Sequence, residues 1–200
     1  MKKSQVLIVL ALATLVAFTG CKTKVERVAT DETIDLSGRW NDTDSRLVSA
    51  EMVGDLANRP WIEEYTANNG SKPVIIVGTV RNKSSEHIET ETFTKDLERE
   101  LINSGRVKFV ANTIERGELR QERKEQQTWS REETQKRLAA ETGADFMLQG
   151  SIKTINDKEG KEEVKFYQID LEVVHIESNE KVWIGSSKRK KLVKKSRMKW

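Results

Sequence analysis

The chain has 200 residues, with 35 Lys or Arg against 32 Asp or Glu, a single cysteine and two histidines. The near-neutral balance hides an uneven distribution: residues 21–187 sum to a formal charge of about −7, and residues 188–200 to about +8 with no acid among them. One cysteine and two histidines argue against a zinc centre of clustered ligands, and the 180 residues that follow the first twenty are enough for one ordinary domain with its own core.

Lys2 and Lys3 precede thirteen residues, Val6 to Phe18, that are apolar except for Thr14, and then come Thr19, Gly20 and Cys21. A helix crossing the hydrocarbon core needs roughly 20 apolar residues, so this stretch fits a signal peptide over residues 1–20. The small residues before Cys21 resemble the bacterial lipobox, with Phe18 where Leu is usual. An exported protein with one free thiol is open to oxidation and stray pairing, a liability that a thioether-linked lipid on Cys21 removes. The sequence therefore predicts cleavage before Cys21 and lipid attachment to it. Lys22, in place of the Asp that often retains lipoproteins at an inner membrane, favours the outer one.

Residues 22–34 are polar, without sustained periodicity, and complete a lipidated tether over 21–34. Fully extended they reach roughly 45 Å, and as a flexible coil roughly 20 Å. Leu36 to Ser45 is turn-rich, with Asp44 or Ser45 placed to cap a helix whose face is Leu47, Val48, Met52, Val53 and Leu56 and which ends by Pro60 and Trp61. Val74 to Val80 is a β-rich run suited to a buried strand, and Arg81 to Glu86 a polar loop. Phe93, Leu97 and Leu101 mark a helix that stops at Asn103–Gly105, followed by a short β-prone stretch from Val107 to Val110. Ile114 to Gln127 is charged, an exposed helix or a loop. Ser130 and Glu133 form a capping box for a helix to about Thr142.

Three strands follow, at about 145–155, 163–176 and 181–189, with turns at Asn156–Gly160 and Ser178–Glu180. The middle strand alternates, placing Tyr167, Ile169, Leu171 and Val173 on one side and Gln168, Asp170 and Glu172 on the other, as in a meander covered on a single face. The fold class is α/β: a mixed β-sheet with parallel strand–helix–strand crossovers and a C-terminal antiparallel meander, packed against helices. The α/β domain spans 35–187 and residues 188–200 form a basic C-terminal tail.

Chemistry-bearing patterns are sparse. His175, at the end of an alternating strand, reads as structural. There is no G-x-S-x-G elbow and no phosphate-binding glycine loop, and the carboxylates lie mainly on Lys- and Arg-rich helices where solvated i,i+4 pairing is the default. The chain reads as a non-enzyme, with no metal or cofactor. Its basic tail has three readings: nucleic acid, which an exported protein rarely meets; anionic lipid head groups or acidic envelope polymer; and a solvated strand end, the ordinary case. Trp129, among polar neighbours, either staples the incoming chain to the next helix or anchors a partner. Arg81, Asn82, Lys83, Ser84, Glu86 and His87 offer more polar groups than a turn needs, and they either cap the following helix or make a contact surface. With Trp129 they are the candidate partner contacts.

Asp35 to Arg46 (DLSGRWNDTDSR), Pro60-Trp61, Gly78 to Ile88 (GTVRNKSSEHI), Asn103 to Val107, Gly143-Ala144-Asp145, Gly150-Ser151-Ile152 and Glu180 to Trp183 occur in order over residues 35–187. This series resembles the LpoB family of penicillin-binding-protein activators. The resemblance implies an outer-membrane lipoprotein facing the periplasm that binds and stimulates a bifunctional peptidoglycan synthase, a regulator without an active site, and a fold similar to the amino-terminal domain of TolB. The short tether and the lysine-rich terminus depart from the family pattern. A passive envelope protein holding cell-wall polymer through the basic tail is the rival reading, and a cryptic hydrolase a third.

Overall fold

The computed structural model describes residues 24–111, 116–119, 121–122 and 143–194. The expected signal peptide, Cys21, the helix from Ser130 and Trp129 lie outside the described residues, as do the last six positions. Residues 24–32 belong to a separate unit from Thr33 onward and are exposed coil with one turn.

Helix α1 (Asp42–Ala57) starts at Asn41, an extended residue whose side chain accepts the Asp44 N–H at 3.1 Å while Asp44 Oδ2 accepts the Asn41 N–H at 3.0 Å. This reciprocal capping box starts the helix earlier than an Asp44 or Ser45 cap would, and Asp44 takes the third position instead. The predicted face is present: Val48, Met52, Val53 and Leu56 are buried, but Leu47 is not. Pro60 does end the pattern, yet Trp61 begins a further helix, α2 (Trp61–Asn69). Only Trp61 and Ile62 of α2 are buried, so no periodic apolar face announces it.

Strand β1 (Val74–Asn82) takes in Arg81 and Asn82, which the sequence places in the loop. Helix α3 (Thr90–Ser104) buries Phe93, Leu97 and Leu101 completely and stops as predicted at Gly105, whose φ of 63° is the left-handed cap that a Cβ would strain. Strand β2 (Lys108–Phe109) is followed by β3 (Phe146–Glu159), β4 (Glu162–His175) and β5 (Lys181–Lys194). The five strands form one sheet in the order β2-β1-β3-β4-β5, parallel from β2 to β3 and antiparallel from β3 to β5. This is the expected mixed α/β sheet with parallel crossovers and a terminal meander.

Two boundaries of the meander differ as well. The β3–β4 ladder runs on to Glu159 opposite Glu162, so the turn is Gly160-Lys161 rather than Asn156–Gly160. Strand β5 continues past 189 to Lys194, so the first seven residues of the basic stretch are strand, paired with β4.

The core lies on one side of the sheet. Tyr167, Ile169, Leu171 and Val173 of β4 are at most 1 % exposed and face Val48, Leu56, Phe93, Leu97 and Leu101 of the helices in a single cluster. Full burial of each such aliphatic or aromatic side chain contributes about 1.5–3 kcal/mol. A register irregularity in β1 between Val77 and Val80 lets both point into this core.

Candidate functional site

The loop after β1 is tied together by its own side chains. Asn82 donates to the Glu86 carbonyl at 2.8 Å, and its Oδ1 accepts the Ser84 N–H and hydroxyl at 2.9 and 2.6 Å. Ser85 N–H donates to Thr154 Oγ1 at 3.2 Å, pinning the loop to β3. None of these groups caps α3, whose first-turn cap is Glu89. Glu86 points inward: its carboxylate accepts from Lys165 Nζ at 2.6 Å, from the Tyr167 hydroxyl at 2.8 Å and from the Trp40 N–H at 3.3 Å. Burial pushes its carboxyl up, but the Lys165 ammonium and the other two donors outweigh that and leave it below the usual carboxylate range. The Tyr167 hydroxyl, buried and facing that carboxylate, is pushed far above the usual phenol value. The Tyr167 hydroxyl also lies 3.1 Å from the Gly38 carbonyl, which shares its one proton with Glu86, and the Trp40 ring packs tilted against Tyr167 at 5.7 Å and edge-on to Phe93 at 5.9 Å. Asn82, Ser84 and Glu86 therefore hold the loop and the lead-in segment on the domain.

Arg81 and Lys83 differ. The alternation of β1 sends them to the sheet face away from the helices, where they line an open groove of about 240 Å³ with Gln149, Lys153, Asp170 and Glu172. The acids in the groove are already partnered: Lys153 donates to Asp170 at 3.0 Å, Gln149 to Glu172 at 2.9 Å, and Lys181 lies 2.6 Å from Glu172. Burial raises the Asp170 carboxyl, and donation from Gln168, Lys153 and Ser186 more than reverses this; for Glu172 the Lys181 contact is the largest influence and lowers it against burial. Arg81 and Lys83 are exposed and have no ion pair among the described residues. His87 is exposed on the helix side, in a separate cleft with Trp40, Asp42 and Ile88. The seven sequence candidates thus divide: two on the open face, three in the loop's own bonding, His87 elsewhere, and Trp129 outside the described residues.

The basic stretch divides by the same alternation. Lys191 turns to the helix side, where Nζ donates to Asp44 Oδ2 at 2.6 Å, Asp35 Oδ1 at 2.8 Å and the Arg39 carbonyl at 3.1 Å. Burial lowers its pKa, but the two carboxylates raise it more. Arg189 on the same side donates to Glu51 at 2.7 Å. These two charges clamp the lead-in and α1 to the sheet, a structural role that the sequence, reading a tail, did not anticipate. The spacing that could have found it was present: the alternation visible in β4 continues through β5. His175 is structural as expected, its ring edge-on to Phe146 at 5.0 Å and Nδ1 accepting the Ser178 N–H at 3.1 Å. Among the described residues no cluster of His, Cys, Asp and Glu could hold a metal ion, and no helix is long and apolar enough to cross a membrane.

The domain so built is a one-sided α/β sheet whose open groove sets Arg81 and Lys83, without an ion pair among the described residues, beside partnered acids. The chain matches the family described as peptidoglycan-synthase activator LpoB over residues 44–188, and it belongs to that family. Solved structures similar to it include the LpoB C-terminal domain from Escherichia coli, at 16% identity over 73% of this chain and 98% of that one with a TM-score of 0.42. The LpoB C-terminal domain from Salmonella enterica has 16% identity over 65% of this chain and 93% of that one, with a TM-score of 0.37. A lipoprotein from Neisseria meningitidis has 13% identity over 63% and 88%, with a TM-score of 0.38. The comparison with curated proteins returned no match.

Proposed function

We propose that this chain is a lipoprotein, anchored through Cys21 in the outer membrane and facing the periplasm, that docks on a bifunctional penicillin-binding protein and stimulates its synthesis of peptidoglycan. The observation that carries this reading is the family match over residues 44–188, which begins in α1 and ends in β5. Arg81 and Lys83 supply the contact, because they are the two loop candidates whose charge is not spent inside the domain. Stimulation requires the activator to bind the active conformation of the synthase better than the inactive one; a differential of 1–3 kcal/mol corresponds to about 5- to 150-fold. The tether bounds the search: residues 22–34 reach roughly 45 Å when extended. The rival use of the basic stretch to hold cell-wall polymer loses Arg189 and Lys191 to internal pairs.

A pull-down with residues 22–200 from solubilised envelopes, followed by an assay of glycan polymerisation with the captured synthase, tests the proposal. Recovery of a peptidoglycan synthase and a several-fold rate increase is the expected result. Failure to recover any synthase, or recovery without stimulation, removes the activator assignment.

A further inference from the structure

The end of the open sheet face beyond the groove has a pattern that neither the core nor the synthase reading uses. The ladder sets side chains in rows across three strands: Lys153, Gln168 and Lys188; then Ile155, Phe166 and Lys190; then Asp157, Val164 and Leu192. Ile155 is 67% and Leu192 57% exposed, and Phe166 and Val164 are half-buried on the same face. Lys188 and Lys190 are exposed and have no ion pair among the described residues, whereas Lys153 and Lys194 are engaged by Asp170 and Glu162. Asp157 is the one carboxylate in these rows. On a body with a formal charge of about −7, an apolar strip with free lysines beside it is a local reversal of sign.

We propose that this face lies on an anionic phospholipid surface, the lysines meeting head-group phosphates and Ile155, Phe166 and Leu192 entering the boundary above the acyl chains. Three observations favour lipid over a protein partner. The free cations are lysines, point charges on flexible stems, which protein interfaces deplete in favour of Arg. The surface is an open sheet face, and its apolar residues stand in a strip and not in a pocket that an anchor side chain could fill. The sequence then continues from Lys194 with Lys195, Arg197, Lys199 and Trp200, and Trp with basic residues is the composition of a membrane interface. The inference goes beyond the synthase reading and does not depend on the lipid at Cys21.

The test uses residues 22–200, because the whole core lies in the unit from Thr33 onward. The protein is sedimented with vesicles of phosphatidylglycerol mixed into phosphatidylcholine, and with phosphatidylcholine alone, at low and high salt. Partition into the anionic vesicles alone, lost at high salt, is expected. Lys188→Gln with Lys190→Gln weakens it by about 25-fold, from about fivefold per lysine, and the charge-reversing Lys188→Glu with Lys190→Glu weakens it further. The matched pair Lys72→Glu with Lys95→Glu, before β1 and on helix α3, away from this strip, leaves it within about twofold. Equal binding to both vesicle types, no effect of the Lys188 and Lys190 changes, or binding to soluble polyglutamate as tight as to the anionic vesicles overturns the proposal. So does loss of synthase binding without any vesicle binding, which makes the face a protein contact. Synthase stimulation in detergent, without vesicles, reads the other proposal separately.

Discussion

Glu86 Oε1 and Lys165 Nζ lie 2.6 Å apart with both side chains 8% exposed, and 79 residues of chain separate them. Two charges so far out of water are held only by each other and by the Tyr167 hydroxyl and Trp40 N–H that complete the carboxylate's bonding. Removing one partner leaves the other charge buried and unpaired, which costs roughly 3–5 kcal/mol, whereas removing both restores much of the loss. Lys165→Met alone and Glu86→Ala alone are each expected to lower the urea midpoint strongly. The double variant should be closer to the parent than the sum of the singles, and additivity in that cycle would show that the pair does not act as a unit.

The same carboxylate makes stability depend on pH. Glu86, Asp170 and Glu172 all titrate below their ordinary values in the folded chain. The unfolded chain therefore takes up protons on them at a higher pH than the folded one. Their contribution is fully present above the unfolded carboxylate pKa of about 4 and is lost as pH falls through the lower folded values. Urea midpoints should be flat from about pH 7 to 5.5 and fall steeply below about 4.5. Glu86→Gln should fall less steeply, and an unchanged slope would remove Glu86 from the account.

Gly38 has φ of 66°, and a Cβ there would run into Val193 Cγ2. Two costs combine: the left-handed conformation, about 1–2 kcal/mol for an ordinary residue, and the overlap. Gly38→Ala is expected to destabilise by at least the first amount, and adding Val193→Ala should recover only the second. Complete recovery in the double variant would mean that the backbone conformation costs nothing.

Much of this architecture is legible locally. The β4 alternation, the α3 stripe and the Gly105 stop are short-range patterns, and each appears where periodicity puts it. What the sequence hides is long-range pairing. Nothing near Lys191 indicates that Asp44, 147 residues earlier, takes its charge, so a run of lysines reads as a tail. Nothing near Glu86 indicates Lys165, so a structural acid reads as a surface contact. Asn156, Asp157 and Gly160 are all turn formers and suggest a longer hairpin turn, while the ladder that carries the strand to Glu159 is supplied by the partner strand. Helix α2 leaves no periodic signal because it buries only its first two residues.

The division within the Arg81–His87 segment separates contact from support. Arg81 and Lys83 face outward beside partnered acids, and substituting them leaves no buried group unsatisfied. Arg81→Glu with Lys83→Glu should leave the unfolding free energy within about 0.5 kcal/mol of the parent, as for surface changes elsewhere. Facing an acidic docking surface, the same pair should lower synthase stimulation by about tenfold or more, because like charges now oppose one another. Asn82→Ala should do the reverse, because it removes the bonds to Ser84 and the Glu86 carbonyl. It is expected to cost about 1–2 kcal/mol of stability and to leave stimulation by the folded fraction intact. Measuring denaturation midpoints and stimulated polymerisation side by side decides it. If the Arg81 and Lys83 pair leaves stimulation unchanged, the docking surface lies elsewhere on the domain.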